Sequence, residues 1–308
     1  MSYIKIFSGT NSRYLAEKIA NSYGKELGSV TIKRFSDGEI SVSYDESVRG
    51  ADVFLIQSTF PNADNLMELL LLVDAARRAS AAYVTVVVPY FGYARQDRKD
   101  KPRVPIASKL VANLLSASGA DRLMTCDLHA GQIQGFFDFP VDHLDGAAIL
   151  IPYIQSLNLE KLIFASPDVG GVARARSFSQ YFGVDLVVCD KHRKKANEIA
   201  AMQLIGDVEG ANVVLIDDLV DTGGTICKAA KLILDKGAKS VRAICTHPVL
   251  SGPAYENIDA SLLEELVVTD TIPLKTSSQK IKVLTVADLF AKAIRKIQDN
   301  ESISSLFI

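Results

Sequence analysis

Short runs of aliphatic and β-branched residues alternate with amphipathic stretches along the whole chain. Ile4–Ser8 reads as a strand, and Asn11-Ser12 then cap a helix that places Leu15, Ala16, Ile19 and Ala20 on one face. A second strand is predicted over 53–57. It leads into a helix with Asn62 and Asp64 as cap candidates, running through Met67, Leu70 and Leu71 to near Ala79. Tyr83–Val88 is almost continuously apolar, the pattern of a parallel strand covered on both faces. A polar stretch over 92–103 follows, then a helix opened by Pro105 and closed by Gly119, then a strand at Arg122–Cys126. The second half repeats the rhythm. Strands fall at 162–165, 186–189, 213–216 and 241–245, with helices after Gly171 and after Thr222. This alternation predicts an α/β fold of parallel sheets with helices on both faces. Periodicity assigns the closing amphipathic stretch, 286–297, to neither half.

The two halves share a faint likeness. In each, a strand runs into an acidic turn and then small residues: MTCDLHAGQ at 124–132 and LIDDLVDTGG at 215–224. A duplicated unit split near 145–150 accounts for it, and 308 residues suit about two domains.

Composition narrows the class. With 48% hydrophobic and 23% charged residues the chain can bury large cores, so it is not a disordered sequence. Lys+Arg 34 against Asp+Glu 36 gives a net charge of −2, without the basic excess of a nonspecific nucleic-acid binder. The longest apolar runs, such as 69–73 and 86–88, fall far short of the ~20 residues of a membrane span. The opening Met1-Ser2-Tyr3-Ile4-Lys5 carries no charged-then-apolar leader. Cys126, Cys189, Cys227 and Cys245 lie far apart with no CxxC pair, the usage of reduced, mostly buried thiols in a cytoplasmic protein.

The strongest chemical element is VVLIDDLVDTGGT at 213–225. A buried strand delivers Asp217 and Asp218 at its end, and Asp221, Thr222, Gly223, Gly224 and Thr225 lead into a helix. Ligands of open α/β sheets bind at these carboxyl ends. Glycines let the backbone approach an anion, the helix start offers unpaired N–H groups, and the threonines add hydroxyl donors. An ordinary strand-to-helix turn with a capping Asp is the plainer reading, and it leaves the acid pair and both threonines without a purpose.

Five other segments carry candidate chemistry. RFSDGE at 34–39 looks alone like a turn between two strands; in a functional role Phe35 would stack on a base while Asp37 and Glu39 accept from an adenine amine and its ribose. The stretch 93–99 is by itself a solvated loop, yet Arg95 and Gln96 closely follow an apolar strand, where a bidentate donor meets a ligand. His129, two residues after Asp127, is a structural hydrogen bonder or a ligand for a divalent metal. SPDVGG at 166–171 again ends a strand in an acid followed by glycines, and Asp168 offers a hard oxygen to Mg²⁺. Finally, Lys191-His192-Arg193-Lys194-Lys195 reads as a nucleic-acid patch or as a cationic arm that closes on polyphosphate.

The run at 213–225 resembles the PRPP-binding motif of phosphoribosyltransferases and ribose-phosphate pyrophosphokinases (PRPP synthetases). With the five other segments in order, the chain from FSGT at 7–10 to SLFI at 305–308 resembles the class I ribose-phosphate pyrophosphokinases. The resemblance implies two tandem phosphoribosyltransferase-like domains, each a mainly parallel sheet flanked by helices. They would span 1–146, which a helix over 286–303 is a candidate to complete, and 147–285, which carries the PRPP loop. It implies transfer of a diphosphoryl group from ATP to the anomeric hydroxyl of ribose 5-phosphate. By position, Phe35, Asp37, Gly38 and Glu39 of a neighbouring subunit, with Arg95 and Gln96, would bind ATP. His129 and Asp168 would meet Mg²⁺, the cofactor, and Lys191 and Arg193 would be the catalytic cations. Arg193, Asp217, Asp218 and Asp221 to Thr225 would hold ribose 5-phosphate. A homo-oligomer, expected as a hexamer, with an allosteric site for phosphate and ADP follows from the same resemblance; Arg49, Ser80 and Arg103 are its candidates. Neither nucleic acid nor membrane is an expected partner.

Three rivals separate on sequence features. A phosphoribosyltransferase would consume PRPP through the same loop, but it explains neither RFSDGE nor the stretch at 95–99. A non-catalytic regulatory homologue would have a disrupted loop around Lys191, where the cations here are intact. A nucleic-acid binder would rest on 191–195 alone.

Overall fold

The computed structural model describes residues 3–192 and 201–307. The chain forms two compact units, one of Met1–Gly146 with Val286–Ile308 and one of Ala147–Thr285. In the first unit the elements run β1 (Ile4–Ser8), α1 (Arg13–Tyr23), β2 (Val30–Arg34), β3 (Ile40–Tyr44), β4 (Asp52–Ile56), α2 (Asp64–Arg78), β5 (Tyr83–Val88), α3 (Ala107–Ser118), β6 (Arg122–Cys126) and β7 (Val141–Leu144). Five strands make one wholly parallel sheet in the order β1-β4-β5-β6-β7. β2 and β3 form a separate antiparallel hairpin against α2. β4 and β5, inside the sheet, are buried on both faces, which is why they read as hydrophobic runs.

Two local expectations need correcting. Ser12 stands at the N-cap of α1 but makes no side-chain cap; its Oγ instead accepts the Ser58 N–H at 2.8 Å, tying the helix start to the exit of β4. Neither Asn62 nor Asp64 caps α2; Ala63 holds that position, and Asp64 lies in the first turn, paired with Arg34 at 2.7 Å. The buried face of α2 does not include Met67, Leu70 or Leu71. Leu66, Leu69, Leu72, Val73 and Ala76 are buried, while Met67 is 52% exposed. A leucine-rich helix contains more than one apolar stripe, and contact with the sheet and hairpin selects among them.

The second unit runs α4 (Ala147–Ser156), β8 (Leu162–Ser166), α5 (Val172–Phe182), β9 (Leu186–His192), β10 (Ala201–Ile205), β11 (Asn212–Val220), α6 (Gly224–Asp235), β12 (Ser240–Pro248), α7 (Ala254–Ala260), β13 (Leu266–Thr269) and β14 (Ile281–Leu284). Its seven-stranded sheet has the order β10-β9-β8-β11-β12-β13-β14, parallel except for β10. From β8 the chain builds outward to β9 and β10, then returns to lay β11 on the other side of β8. The order therefore reverses between β8 and β11, the place where doubly wound sheets open a ligand crevice. Phe164 of β8 is fully buried and packs on Phe178 and Phe182 of α5 at 5.8 and 5.3 Å between ring centroids. Those contacts fix α5 to one face of the strand beside the crevice.

The chain then re-enters the first unit through α8 (Ala287–Gln298), which packs on α1. Leu289, Phe290, Ala293 and Ile294 are buried. Ser22 Oγ donates to Asp288 at 2.6 Å, and Arg295 donates to the Tyr23 carbonyl at 2.6 Å while lying over the Tyr23 ring.

Candidate active site

Two strands of the second unit end where its sheet order reverses. β11 pairs with β8 only through Leu215 but continues beside β12 to Val220. Asp217 and Asp218 are thus within a strand, longer than the predicted 213–216, on the part that projects past β8. The chain then turns through Asp221 and Thr222 into Gly223, whose φ of +75° is a left-handed conformation that favours glycine. Gly223 is the N-cap of α6. The opening amides of a helix have no acceptor within it and carry the positive end of its dipole, so this turn is built to take an anion.

A cavity of about 150 Å³ is lined by Asp168, Asp217, Asp221, Thr222, Gly223, Gly224 and Thr225, with Leu219, Val220 and Ile226. Seven of the residues expected to meet ribose 5-phosphate or metal therefore share one space. Asp218 is buried, 7% exposed, and is not among the lining residues. Asp168 is exposed at the end of β8, and its Oδ1 accepts the Gly171 N–H at 3.0 Å.

Burial, then the charge of Asp218, push the Asp217 carboxyl up to about 8, with Asp168 adding to the repulsion. Three acids gathered around a crevice favour a divalent cation or a ligand rich in hydroxyl donors. Hard oxygen donors suit Mg²⁺. Among the described residues no group of three or more His, Cys, Asp or Glu converges as a metal site. Because the folded state holds Asp217 above its unfolded value, ionising it costs stability as pH rises from about 4 towards about 8. Asp217→Asn removes that cost. In chelator, its Tm gain over the unsubstituted chain is expected to grow between about pH 5 and about pH 8; thermal melts across that range check this, and a pH-independent difference would contradict it.

The loop 221–225 is braced by a segment the sequence reading did not single out. Ser251 donates through its hydroxyl to Asp221 Oδ1 and through its N–H to the Asp221 carbonyl at 2.9 Å. Asn257 of α7 donates to the Thr222 carbonyl at 2.9 Å. The only trace in the sequence is the turn Ser251-Gly252-Pro253 before a short helix.

The strand carrying Lys191 is also longer than expected. β9 was predicted to stop at residue 189 and runs to His192, because β10 returns antiparallel to it, with Lys191 opposite Met202 and His192 opposite Ala201. β9 pairs with β8 only through Val188. Its last residues therefore leave the sheet as a two-stranded ribbon at the carboxyl edge shared with Asp168 and Asp217. Arg193 lies outside the described residues, as does the side chain of Lys191.

In the first unit a cavity of about 420 Å³ is lined by Arg95, Gln96, Asp97, Arg98, Asp100, Lys101, Val104, Pro105 and His129. It brings together the expected nucleotide residues Arg95 and Gln96 and the expected metal ligand His129. Gln132 Nε2 donates to Asp97 at 3.0 Å, joining the stretch after β6 to the loop after β5. The loop begins at a close contact. The Gly92 N–H donates to Thr59 Oγ1 at 2.7 Å, and a Cβ on Gly92 would lie 2.0 Å from the Thr59 carbonyl oxygen.

RFSDGE forms the turn of the β2–β3 hairpin. Gly38 has φ +96°, Phe35 N–H donates to the Glu39 carbonyl at 2.9 Å, and Arg34 donates to the Gly38 carbonyl at 2.9 Å. Asp37, Gly38 and Glu39 are exposed and Phe35 is 60% exposed, in neither cavity. Arg49 donates to Ser80 Oγ at 3.1 Å, joining two of the regulatory candidates; Arg103 lies in the loop after β5.

Two α/β units with mainly parallel sheets, one with an acid-then-glycine loop at its switch point, define the class of protein. Residues 4–119 match the model of the N-terminal domain of ribose phosphate pyrophosphokinase, and residues 168–308 that of the phosphoribosyl synthetase-associated domain. The chain is 59% identical to the ribose-phosphate pyrophosphokinase of Porphyromonas gingivalis over 98% of this chain and 97% of that one. It is 58% identical to that of Campylobacter jejuni over 99% of each. The crystal structure of phosphoribosylpyrophosphate synthetase from Mycobacterium smegmatis superposes with a TM-score of 0.93 at 39% identity, covering 97% of this chain and 100% of that one. The chain belongs to the ribose-phosphate pyrophosphokinase family. Among the described residues, no helix is long and apolar enough to cross a membrane.

Proposed function

We infer that this chain transfers the diphosphoryl group of ATP to the anomeric hydroxyl of ribose 5-phosphate, giving 5-phosphoribosyl 1-diphosphate and AMP. The observation that carries it is the loop 221–225 with Asp217, assembled where β8 and β11 diverge. The amides and hydroxyls from Asp221 to Thr225 take the 5-phosphate, and Asp217 and Asp218 accept from the ribose hydroxyls. Arg95 and Gln96 hold the nucleotide. Phe35, with its exposed ring, and Asp37, Gly38 and Glu39 serve the adenine of a neighbouring subunit in a hexamer.

In the reaction the anomeric oxygen attacks the β-phosphorus, the bond from that phosphorus to the α–β bridging oxygen breaks, AMP leaves and the hydroxyl proton is released. Such transfers need positioning and charge neutralisation more than covalent chemistry from side chains. Mg²⁺ would supply charge neutralisation at the polyphosphate; Asp168 in the cavity of the second unit and His129 in that of the first are each candidate ligands. Lys191 and Arg193 stabilise the oxygens of the group in transit. Phosphate and ADP regulate through Arg49, Ser80 and Arg103, and the four cysteines, none in a disulfide, suit work in a reducing cytoplasm. With purified protein, AMP is expected to appear only when ribose 5-phosphate accompanies Mg-ATP, with an equal yield of PRPP by chromatography. AMP formed without the sugar, or ADP as the product, would contradict the assignment.

A further inference from the structure

Two hydrogen bonds join side chains outside the family motif to the backbone and carboxylate within it. The segment after β12 bends at Leu250, a buried residue in left-handed conformation with φ +44°, so that the Leu250 and Ser251 N–H groups reach the carbonyls of Val220 and Asp221 at 3.0 and 2.9 Å. A leucine held in this region is strained and persists only where its surroundings enforce it. The bend delivers the Ser251 hydroxyl to Asp221 Oδ1. One helical element later, Asn257 donates to the Thr222 carbonyl at 2.9 Å. Between them the Cβ position of Gly223 lies 3.4 Å from the Ala254 carbonyl oxygen and from Ile258 Cγ1, so α7 is the surface on which the turn rests. The Asn257 carbonyl in turn receives Cys227 Sγ at 3.5 Å, locking the first turn of α6 to the same helix.

Resting on the role of this loop in holding ribose 5-phosphate, we propose that Ser251 and Asn257 are positioning residues for the sugar phosphate. They touch no substrate. Ser251 orients the Asp221 carboxylate and Asn257 holds the Thr222 peptide, so that the amides of 222–225 face one point before ligand arrives. A loop preset in this way spends little of its binding free energy on ordering itself. Without the two bonds the loop would sample other conformations, and the loss would fall on the phosphomonoester and not on the nucleotide.

The test uses the full-length enzyme with Ser251→Ala, Asn257→Ala, the double variant and Ser251→Thr, which keeps the hydroxyl. Ribose 5-phosphate binding is measured by calorimetry, alongside KM values for both substrates and the Tm. Each single variant is expected to weaken ribose 5-phosphate about 3- to 10-fold and the double variant about 10- to 50-fold, the effect of losing one or two hydrogen bonds. The ATP KM should move less than about twofold, and Ser251→Thr should recover most of the affinity. Unchanged ribose 5-phosphate affinity would overturn the proposal. So would an equal rise in both KM values with a fallen Tm, the mark of a merely structural role. Calorimetry with the unsubstituted protein keeps the two assignments apart. If ribose 5-phosphate binds without supporting AMP release, the reaction is wrong and the brace is still tested; if it binds and the variants bind equally well, only the brace fails.

Discussion

Lys191→Ala is expected to lower kcat by about 10²- to 10⁴-fold while moving the ATP KM less than about threefold, the effect of removing one charge aimed at the transition state. Lys191 belongs to the ribbon that β9 and β10 form past the end of β8, at the edge that also presents Asp168 and Asp217. In the proposed reaction a cation at that edge would meet the diphosphoryl group as its bond to AMP breaks and negative charge builds on the leaving oxygen. Bound ATP carries its charge distributed and metal-chelated, so the ground state gains less. Initial-rate kinetics at varied ATP and saturating ribose 5-phosphate decide the matter. Unaltered turnover, or a loss confined to KM, would remove Lys191 from the chemical step.

Gly92→Ala is expected to raise the ATP KM about 10- to 100-fold and to lower stability by about 1–3 kcal/mol, the range for forcing a group into a packed site. The cause is steric, since Gly92 has no left-handed backbone. A methyl group there would sit 2.0 Å from the carbonyl oxygen of Thr59 and 3.2 Å from its Oγ1, which accepts the Gly92 N–H. A carbonyl within a tied turn cannot swing aside as a flexible side chain would; Thr59 N–H itself donates to the Tyr90 carbonyl at 2.9 Å. The alanine must therefore displace the start of the loop that bears Arg95 and Gln96. Kinetics at varied ATP together with denaturant unfolding would show both effects, and a native ATP KM would mean that these residues are placed independently of the contact.

Buried strands of the parallel sheets were legible because both faces are covered, leaving unbroken apolar runs such as β5 and the start of β11. The acid-then-glycine turn was legible because Asp, Thr and Gly occur there for chemical reasons that a simple turn does not require. Other features depend on partners distant in sequence. RFSDGE was legible as a turn between two strands, but the extent of its arms, β2 and β3, was not: they are half-exposed, with Thr31, Ser41 and Ser43 among their apolar residues, and take shape against α2. β9 extends to His192 only because β10 returns beside it, which the local run 186–189 does not announce. Ser12 looked like a cap until Ser58 claimed its hydroxyl. Ser251 and Asn257 were invisible for the same reason: a hydrogen bond spanning 30 or 35 residues leaves no periodic trace.

The return of α8 to the first unit bears on how the protein is made. The partner of α1 is synthesised after the whole of the second unit, so the first unit stays without that helix until residues 287–298 have been made. The second unit is contiguous, from Ala147 to Thr285, and can fold while the tail is still being translated. Maturation thus runs against the order of the genetic message, and a nascent chain halted near residue 285 would hold a finished second unit behind an unfinished first one.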